Sequence, residues 1–128
     1  MATRGLIYIT NEKNEKIIEI YNHGDSYPSG LGKILKDFLK DGKLVNGISL
    51  DETNKKVFNG IEDFAAQLVC HLKNGIGGVY LYAPSHNYRN KKKYWEMYFA
   101  EYAYEINSQL NLRCWDCINN KEIDLSDI

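Results

Sequence analysis

The feature that most constrains the fold is a pair of apolar runs near the start of the chain. Residues Leu6–Thr10 and Lys16–Tyr21 are rich in β-branched and aromatic side chains, which favour strands. The polar residues 11–15 between them are typical of a hairpin loop. Because both faces of this hairpin are largely apolar, the pattern predicts a hairpin that is central in its sheet or covered on both faces.

The register of the hairpin can be predicted from the middle of its loop. Folding at that point pairs Leu6 with Ile20. The same register places Arg4 across from Asn22, beside His23. We therefore expect Arg4 to lie close to the loop that follows the second strand. The face opposite Leu6 then holds Ile7, Ile9, Ile17 and Tyr21.

The rest of the chain contains helical and strand patterns. Apolar residues recur at helical spacing in Leu31–Leu39 and Ile61–Leu72, which predicts two amphipathic helices. Residues Val79–Ala83 and Leu110–Ile118 predict strands. The stretch Trp95–Ile106 fits one face of a helix and one face of a strand, and its aromatic content favours the strand.

Together these elements predict an α+β fold with the order ββααβββ. In this fold an antiparallel sheet of about five strands carries the two amphipathic helices. Residues 43–60 are predicted as a loop with one short strand or turn. The 128 residues read as a single domain, 1–128, which is large enough to bury a core without disulfides.

Composition argues against several classes of function. The net charge of −1 does not favour binding of extended nucleic acid. No apolar run approaches the ~18 residues that cross a bilayer, and the first residues lack a secretory signal pattern. Three cysteines, an odd number, fit a reducing compartment. We therefore expect a cytoplasmic protein without membrane contact, in the host cytoplasm if the protein is viral.

Two of the cysteines, Cys114 and Cys117, have the spacing of a redox or zinc half-site. Positions three apart on a strand point to opposite faces, so their sulfurs should diverge. The sequence has no second Cys-x-x-Cys, and Cys70 is the only other cysteine. We therefore expect these side chains to pack in the core, with no metal and no cofactor.

The loop 22–32 holds the densest group of chemically capable residues. A helix start preceded by glycines exposes unpaired backbone amides, and the helix dipole adds positive charge there. Such a site binds phosphate or carboxylate, and Arg4 is placed to add a guanidinium. The predicted ligand-binding residues are Arg4, His23, Asp25, Ser26, Tyr27, Ser29 and Gly30.

The same residues also fit structural and catalytic roles. Asp25 or Ser26 can cap the helix, Tyr27 and Pro28 can fix a turn, and His23 can bond a backbone carbonyl. Alternatively, His23 and Asp25 can act as the acid–base pair of a hydrolase or phosphodiesterase. The loop has neither a metal-ligand pattern nor a Walker-type phosphate loop.

A basic cluster at residues 89–93, flanked by aromatic residues, is the second candidate site. Lysine binds phosphate and an aromatic ring stacks on a base, a combination that suits a nucleotide. Arg89 and Lys91 are therefore predicted to close over the ligand. The structural alternative is a solvated loop.

Residues Ala2–Leu6 and Tyr21–Gly32 carry a resemblance to a known group of proteins. The chain resembles a family of small proteins from phages, large viruses and some microbial eukaryotes. These share a Thr-Arg-Gly start and a His-x-Asp-x-Tyr-Pro-x-Gly signature, and Gly24 stands where relatives often carry a bulky residue. The family implies no catalytic residues. It does imply a context, since small phage proteins often inhibit a host defence by binding a defence protein or by sequestering or cleaving its nucleotide messenger.

Three functions follow from the sequence. The first is a binding protein that holds a small anionic, nucleotide-like ligand and sequesters a defence signal. The second is a protein–protein inhibitor of a host protein, and the ten tyrosines suit such an interface as well as a homo-oligomer. The third is the hydrolase that uses His23 and Asp25. We favour binding over catalysis.

Overall fold

The computed structural model describes residues 2–83 and 99–128. One turn of π-helix, Pro28–Gly32, precedes the first α-helix. The other elements in chain order are β1 (Gly5–Thr10), β2 (Lys16–Asn22), α1 (Lys33–Leu39), β3 (Lys43–Val45), β4 (Val57–Asn59), α2 (Ile61–Leu72), β5 (Val79–Tyr82), β6 (Tyr102–Ile106), β7 (Leu112–Asp116) and β8 (Lys121–Ile123).

The main sheet has six strands in the order β5-β2-β1-β6-β7-β8. The pair β1–β6 is parallel, and the other neighbours are antiparallel. Residues 11–101 separate β1 from β6 in sequence, which is long enough for the crossover that a parallel pair needs. The predicted α+β class, the two helices and the mostly antiparallel sheet are confirmed. The predicted sheet of about five strands was one strand short.

The predicted order ββααβββ is wrong in two places. A small parallel sheet, β3–β4, lies between the helices in sequence, where only one short strand or turn was predicted. The additional strand β8 follows the turn after β7. Strands of three residues carry too little side-chain alternation to stand out in a sequence. For the stretch Trp95–Ile106, the strand interpretation is confirmed at Tyr102–Ile106, and residues 95–98 lie outside the described part.

A β-bulge changes the register of the hairpin. Thr10 pairs with Lys16, as folding at the middle of the loop predicts, but Ile9 pairs with Ile18. Ile17 is therefore an extra residue on β2, and every pair beyond it is shifted by one. The predicted pairing of Leu6 with Ile20 is wrong for this reason. Leu6 pairs with Tyr21.

The shift moves the side chains of β2 to the opposite faces. Ile20 joins Ile7 and Ile9 on the face that the helices cover. Tyr21 joins Leu6 and Tyr8 on the other face, which we call the second face. The hairpin is central in its sheet and its first strand is covered on both faces, as predicted, since Leu6 through Ile9 have no exposed surface.

Both helices pack on the face that carries Ile7 and Ile9. Their buried side chains there include Leu35 of α1 and Phe64 and Leu68 of α2. Helix α2 begins and ends at the predicted residues. Within the described residues, no helix combines the length and the apolar character needed to cross a bilayer.

The Cys-x-x-Cys pair diverges as predicted. Cys114 lies in the cluster under the helices, whereas Cys117 lies in the cluster on the second face. All three cysteines are free, and Cys70 is the exposed one. Burial raises the pKa of both Cys114 and Cys117 to about 12.

These positions predict very different thiol reactivities. The thiolate is the reactive form, so the native protein should expose one rapidly reacting thiol to Ellman's reagent. The other two should react only on unfolding, and the variant Cys70→Ser should lack the rapid phase. A second rapidly reacting thiol in the native wild type would contradict the burial of this pair.

Candidate functional site

Five loops meet at one end of the main sheet, which we call the loop end. Residues 2–4, 75–78 and 99–101 precede β1, β5 and β6. Residues 23–27 follow β2, and residues 117–120 join β7 to β8. All five lie at the same end because β1, β5 and β6 run in one direction, whereas β2 and β7 run in the opposite direction. The His-x-Asp-x-Tyr-Pro-x-Gly loop is therefore surrounded by chain segments far from it in sequence.

Backbone hydrogen bonds join these loops to one another. They include His23 N–H to Gly78 O (2.8 Å), Ser26 N–H to Thr3 O (3.0 Å) and Glu101 N–H to Arg4 O (2.8 Å). Bonds between separate segments restrict the loops more than bonds within one turn do, because each segment is held from a neighbour. The loop end is therefore a connected frame.

Ser26 is a buried residue that fixes residues 23–30 to the sheet. We call these residues, which carry the His-x-Asp-x-Tyr-Pro-x-Gly pattern, the signature loop. Ser26 has no exposed surface, its hydroxyl donates to Asn22 O (3.1 Å), and its carbonyl accepts from Tyr104 Oη (2.7 Å). A Cβ on Gly5 would lie 2.6 Å from Ser26 Cβ, so only glycine fits beside it. The Thr-Arg-Gly start and the signature loop are thus in direct contact. Ser26, a predicted ligand residue, serves the frame, since a ligand does not reach a buried hydroxyl.

Of the backbone amides predicted to be unpaired at the helix start, that of Gly30 is paired, and so is that of Leu31 beside it. The N–H groups of Gly30 and Leu31 donate to the carbonyls of Tyr27 and Asp25, both at 2.9 Å. No side chain caps the π-helical turn or α1, so Asp25 and Ser26 are not caps either. Both bonds close within the loop, and the spacing of apolar residues does not reveal them. The amides of Gly30 and Leu31 are therefore not free to donate to an anion.

His23 has a neighbour that the sequence did not indicate. Tyr21 Oη and His23 Nδ1 are 2.9 Å apart, and the direction of this bond depends on the imidazole tautomer. Both residues follow the alternation of β2, so they lie on the second face. Asp25 adopts the left-handed conformation (φ 54°), which Asp tolerates better than most residues. His23 is therefore oriented by a tyrosine, and the carboxylate of Asp25 is not its hydrogen-bond partner among the described residues.

Arg4 lies closer to His23 than the sequence suggested. Gly5 pairs with Asn22, so continuing the register by one residue sets Arg4 opposite His23. On its other side, His23 N–H donates to Gly78 O. The bulge causes this change, because the unshifted register sets Arg4 opposite Asn22.

A small cavity opens beside Tyr27. Its volume is about 170 Å³, and the half-exposed ring of Tyr27 forms part of its wall. In the described part of the chain, the Tyr27 hydroxyl, the Glu101 carboxylate and the Tyr102 hydroxyl have no hydrogen-bond partner. The complete lining is Thr3, Tyr27, Glu101, Tyr102, Asp116, Ile118 and Asn119. Of these, only Tyr27 was predicted, because the others come from strand ends that the fold brings together.

The acidic residues that line this cavity make its electrostatic potential negative. Burial raises the pKa of Tyr102, and the charges of Asp116 and Glu101 raise it further. Burial also opposes ionisation of Asp116, but hydrogen bonds from Asn119 and Ile118 outweigh it and lower the pKa of that carboxyl. Asp116 is therefore ionised and tied to the β7–β8 turn, whereas Glu101 remains available to a ligand.

The remaining predicted site residues differ in exposure, and two of them lie outside the described residues. The side chains of Asp25 and Ser29 are exposed beside Gly30, whose own role is steric. Arg89 and Lys91 lie outside the described residues. Within residues 2–83 and 99–128, no group of three His, Cys, Asp or Glu side chains is arranged to hold a metal ion.

Gly30 and Gly24 provide a matched test of the loop frame. A Cβ on Gly30 would overlap the Asp25 carbonyl oxygen and approach the Tyr27 ring, whereas one on Gly24 meets nothing within 4 Å. We expect Gly30→Ala to lower the free energy of unfolding by about 1–3 kcal/mol, the usual effect of overpacking. Gly24→Ala should change it little. Equal urea midpoints for the two variants would contradict the tight turn.

Asp116 should make stability depend on acid pH. A carboxyl whose folded pKa is lowered stabilises the protein above its ordinary pKa, and this is lost as the pH falls through the folded value. We therefore expect Asp116→Asn to unfold at lower urea concentration near neutral pH, with the difference from wild type shrinking below about pH 4. Asp51→Asn, in an exposed loop, is the control. A difference that persists undiminished at pH 2 would argue against this.

The family resemblance seen in the sequence stays a prediction. Comparisons of the chain with protein-family models, curated proteins and solved structures gave no match. The function is therefore inferred from the contacts, charges and cavities of the chain itself.

Proposed function

We propose that the protein is a binding protein for a nucleotide-like ligand and that its site is the loop end of the sheet. The ligand carries an anionic group, which Arg4 and His23 contact, and a hydroxylated ring, which enters the cavity beside Tyr27. The observation that carries the proposal is that cavity, whose lining combines hydroxyl and carboxylate groups without hydrogen-bond partners among the described residues.

The cavity fits one ring rather than a whole nucleotide. Clefts for drug-sized ligands usually measure about 300–1,000 Å³, and this one measures about 170 Å³. A carboxylate such as Glu101 accepts hydrogen bonds from hydroxyl groups, and a tyrosine ring offers an apolar surface to a sugar or a base. The rest of the ligand then lies outside, across the strand ends toward Arg4.

Arg4 and His23 supply the groups that contact the anion in the proposed site. The guanidinium binds phosphate through two parallel donors, and an imidazole whose Nδ1 accepts from Tyr21 keeps its Nε2–H for the ligand. The frame around Ser26 holds both residues on rigid backbone, which lowers the entropy cost of binding.

Binding without turnover fits this geometry better than catalysis. An acid–base pair needs its members within hydrogen-bond reach of each other or of one reacting atom. His23 is bonded to Tyr21, and Asp25 makes no bond to it in the described part of the chain. A protein that holds a nucleotide signal without cleaving it acts by lowering the free concentration of that signal.

Calorimetric titration tests the proposal with four probes: a nucleoside monophosphate, a cyclic dinucleotide, the nucleoside alone and inorganic phosphate. We expect a nucleotide to bind at least about tenfold more tightly than the nucleoside or phosphate, because each fragment loses one half of the contacts. Protein stripped of ligand by unfolding and refolding should be used. No binding of either nucleotide at millimolar concentration would overturn the proposal.

Two pairs of variants separate the two halves of the site. Arg4→Gln should weaken nucleotide binding by about tenfold or more, since hydrogen bonds to charged groups contribute about 1.5–3 kcal/mol. Lys13→Gln, at the opposite end of the sheet, is its charge-matched control. Glu101→Gln should weaken nucleotide and nucleoside alike, with Glu12→Gln as control. Equal affinities of Arg4→Gln and Lys13→Gln would remove the anion contact from the proposal.

A protein-binding function is the second candidate, and the edge strand β5 favours it. Tyr80 and Leu81 have exposed fractions of 45% and 54%, and Ile76 in the preceding loop is fully exposed. An edge strand exposes unpaired backbone groups to which another chain can bind, and exposed apolar side chains along it add contact area. The double variant Tyr80→Ser, Leu81→Ser should then abolish retention of a stoichiometric partner from host lysate while leaving nucleotide binding unchanged. Retention that survives both substitutions would exclude this surface.

A further inference from the structure

We infer that a second ligand site lies between α1 and α2 and that it takes a small aromatic molecule bearing a phosphate or carboxylate. The cavity there has a volume of about 380 Å³, within the range of small-molecule clefts. It shares no residue with the loop end, so this inference is independent of the proposed function. Its lining is Asp37, Phe38, Lys55, Lys56, Gln67, Cys70 and His71.

The wall of the cavity is aromatic and fixed. The ring of Phe38 lies 4.8 Å from that of His71 at an interplanar angle of 33°, which is close to offset stacking. On its other side Phe38 packs against Phe58 and Phe64, with both pairs of ring centroids 5.7 Å apart. Because Phe58 and Phe64 have no exposed surface, the core holds this wall in place. These neighbours cover the faces of Phe38, so a flat ligand contacts the edge of that ring and the exposed ring of His71, and this wall needs no ordering first.

The ammonium groups beside the wall favour an anion. Lys56 Nζ donates to the carbonyls of Asp37 (2.9 Å) and Phe38 (2.8 Å) at the end of α1. Two of its three donors are used there, so the third remains for a ligand. Lys55 is exposed and makes no hydrogen bond in the described part of the chain. The one carboxylate in the lining of this cavity is that of Asp37. It is paired with Lys33 at 3.0 Å, so it offsets the positive charges of Lys55 and Lys56 little.

Cys70 serves as a reporter for this site. It is the exposed cysteine, it lines the cavity, and the other two thiols are buried. A ligand seated on Phe38 therefore shields Cys70 from Ellman's reagent. The rate falls by the factor 1 + [L]/Kd, about tenfold when the ligand is present at ten times its Kd.

The experiment compares phenyl phosphate and benzoate with inorganic phosphate and benzyl alcohol on the full chain, by Cys70 reactivity and by calorimetry. We expect the two aromatic anions to protect Cys70 and to bind, and the two fragments to do so much more weakly. Absence of protection and of heat with both aromatic anions at millimolar concentration overturns the inference. Equal protection by inorganic phosphate also overturns it, because the lysines alone then bind anions.

Variants locate the effect in the cavity. Phe38→Leu should weaken phenyl phosphate by about two- to tenfold through loss of stacking, and Lys55→Gln by about two- to fivefold, as for an exposed ion pair. Lys13→Gln and Arg4→Gln should leave the protection unchanged. Calorimetry on Cys70→Ser should give the wild-type affinity. A loss of protection in Arg4→Gln equal to that in Lys55→Gln would assign the ligand to the loop end and overturn the second site.

Discussion

Burial of β1 on both faces is the constraint on which the rest of the structure depends. Leu6, Ile7 and Ile9 have no exposed surface, and removing such side chains from water stabilises the fold by roughly 5–9 kcal/mol in total. The whole net stability of a domain is about 5–15 kcal/mol, so a layer must cover each face of this strand. One layer is the helix pair on Ile7 and Ile9, and β2 and β6 complete the hydrogen bonds on its two sides.

The same burial explains why much of the fold is readable from sequence. A hairpin that is apolar on both faces has to be central, and α2 begins and ends where apolar spacing predicts. The register is different, because it rests on one bulge residue. Ile17 is as apolar as its neighbours, so no pattern of side chains marks it as the extra residue. Strand β8 was not predicted, because three residues are too few to show an alternation of apolar and polar side chains.

The candidate site can be predicted from the sequence only where its residues lie close together along the chain. The signature loop stands out by composition, and His23 and Tyr27 are exposed at the loop end as a ligand site requires. Glu101, Tyr102 and Asp116 come from strands that reach β1 through long connections, so their contribution depends on topology. Ser26 and Gly30 look functional in the sequence, yet their buried hydroxyl and crowded Cα explain them as parts of the frame. A short motif thus mixes exposed residues with residues that hold the loop in place.

The charges at the loop end limit which ligands fit there. Asp25, Glu101 and Asp116 are acidic, and the described cations near them are Arg4 and Lys121, which pairs across from Asp116. A bare phosphate would therefore meet as much repulsion as attraction, unlike one in the cavity beside Lys55. A ligand that also presents hydroxyl groups turns the carboxylates into acceptors, and its affinity then comes from both signs of charge.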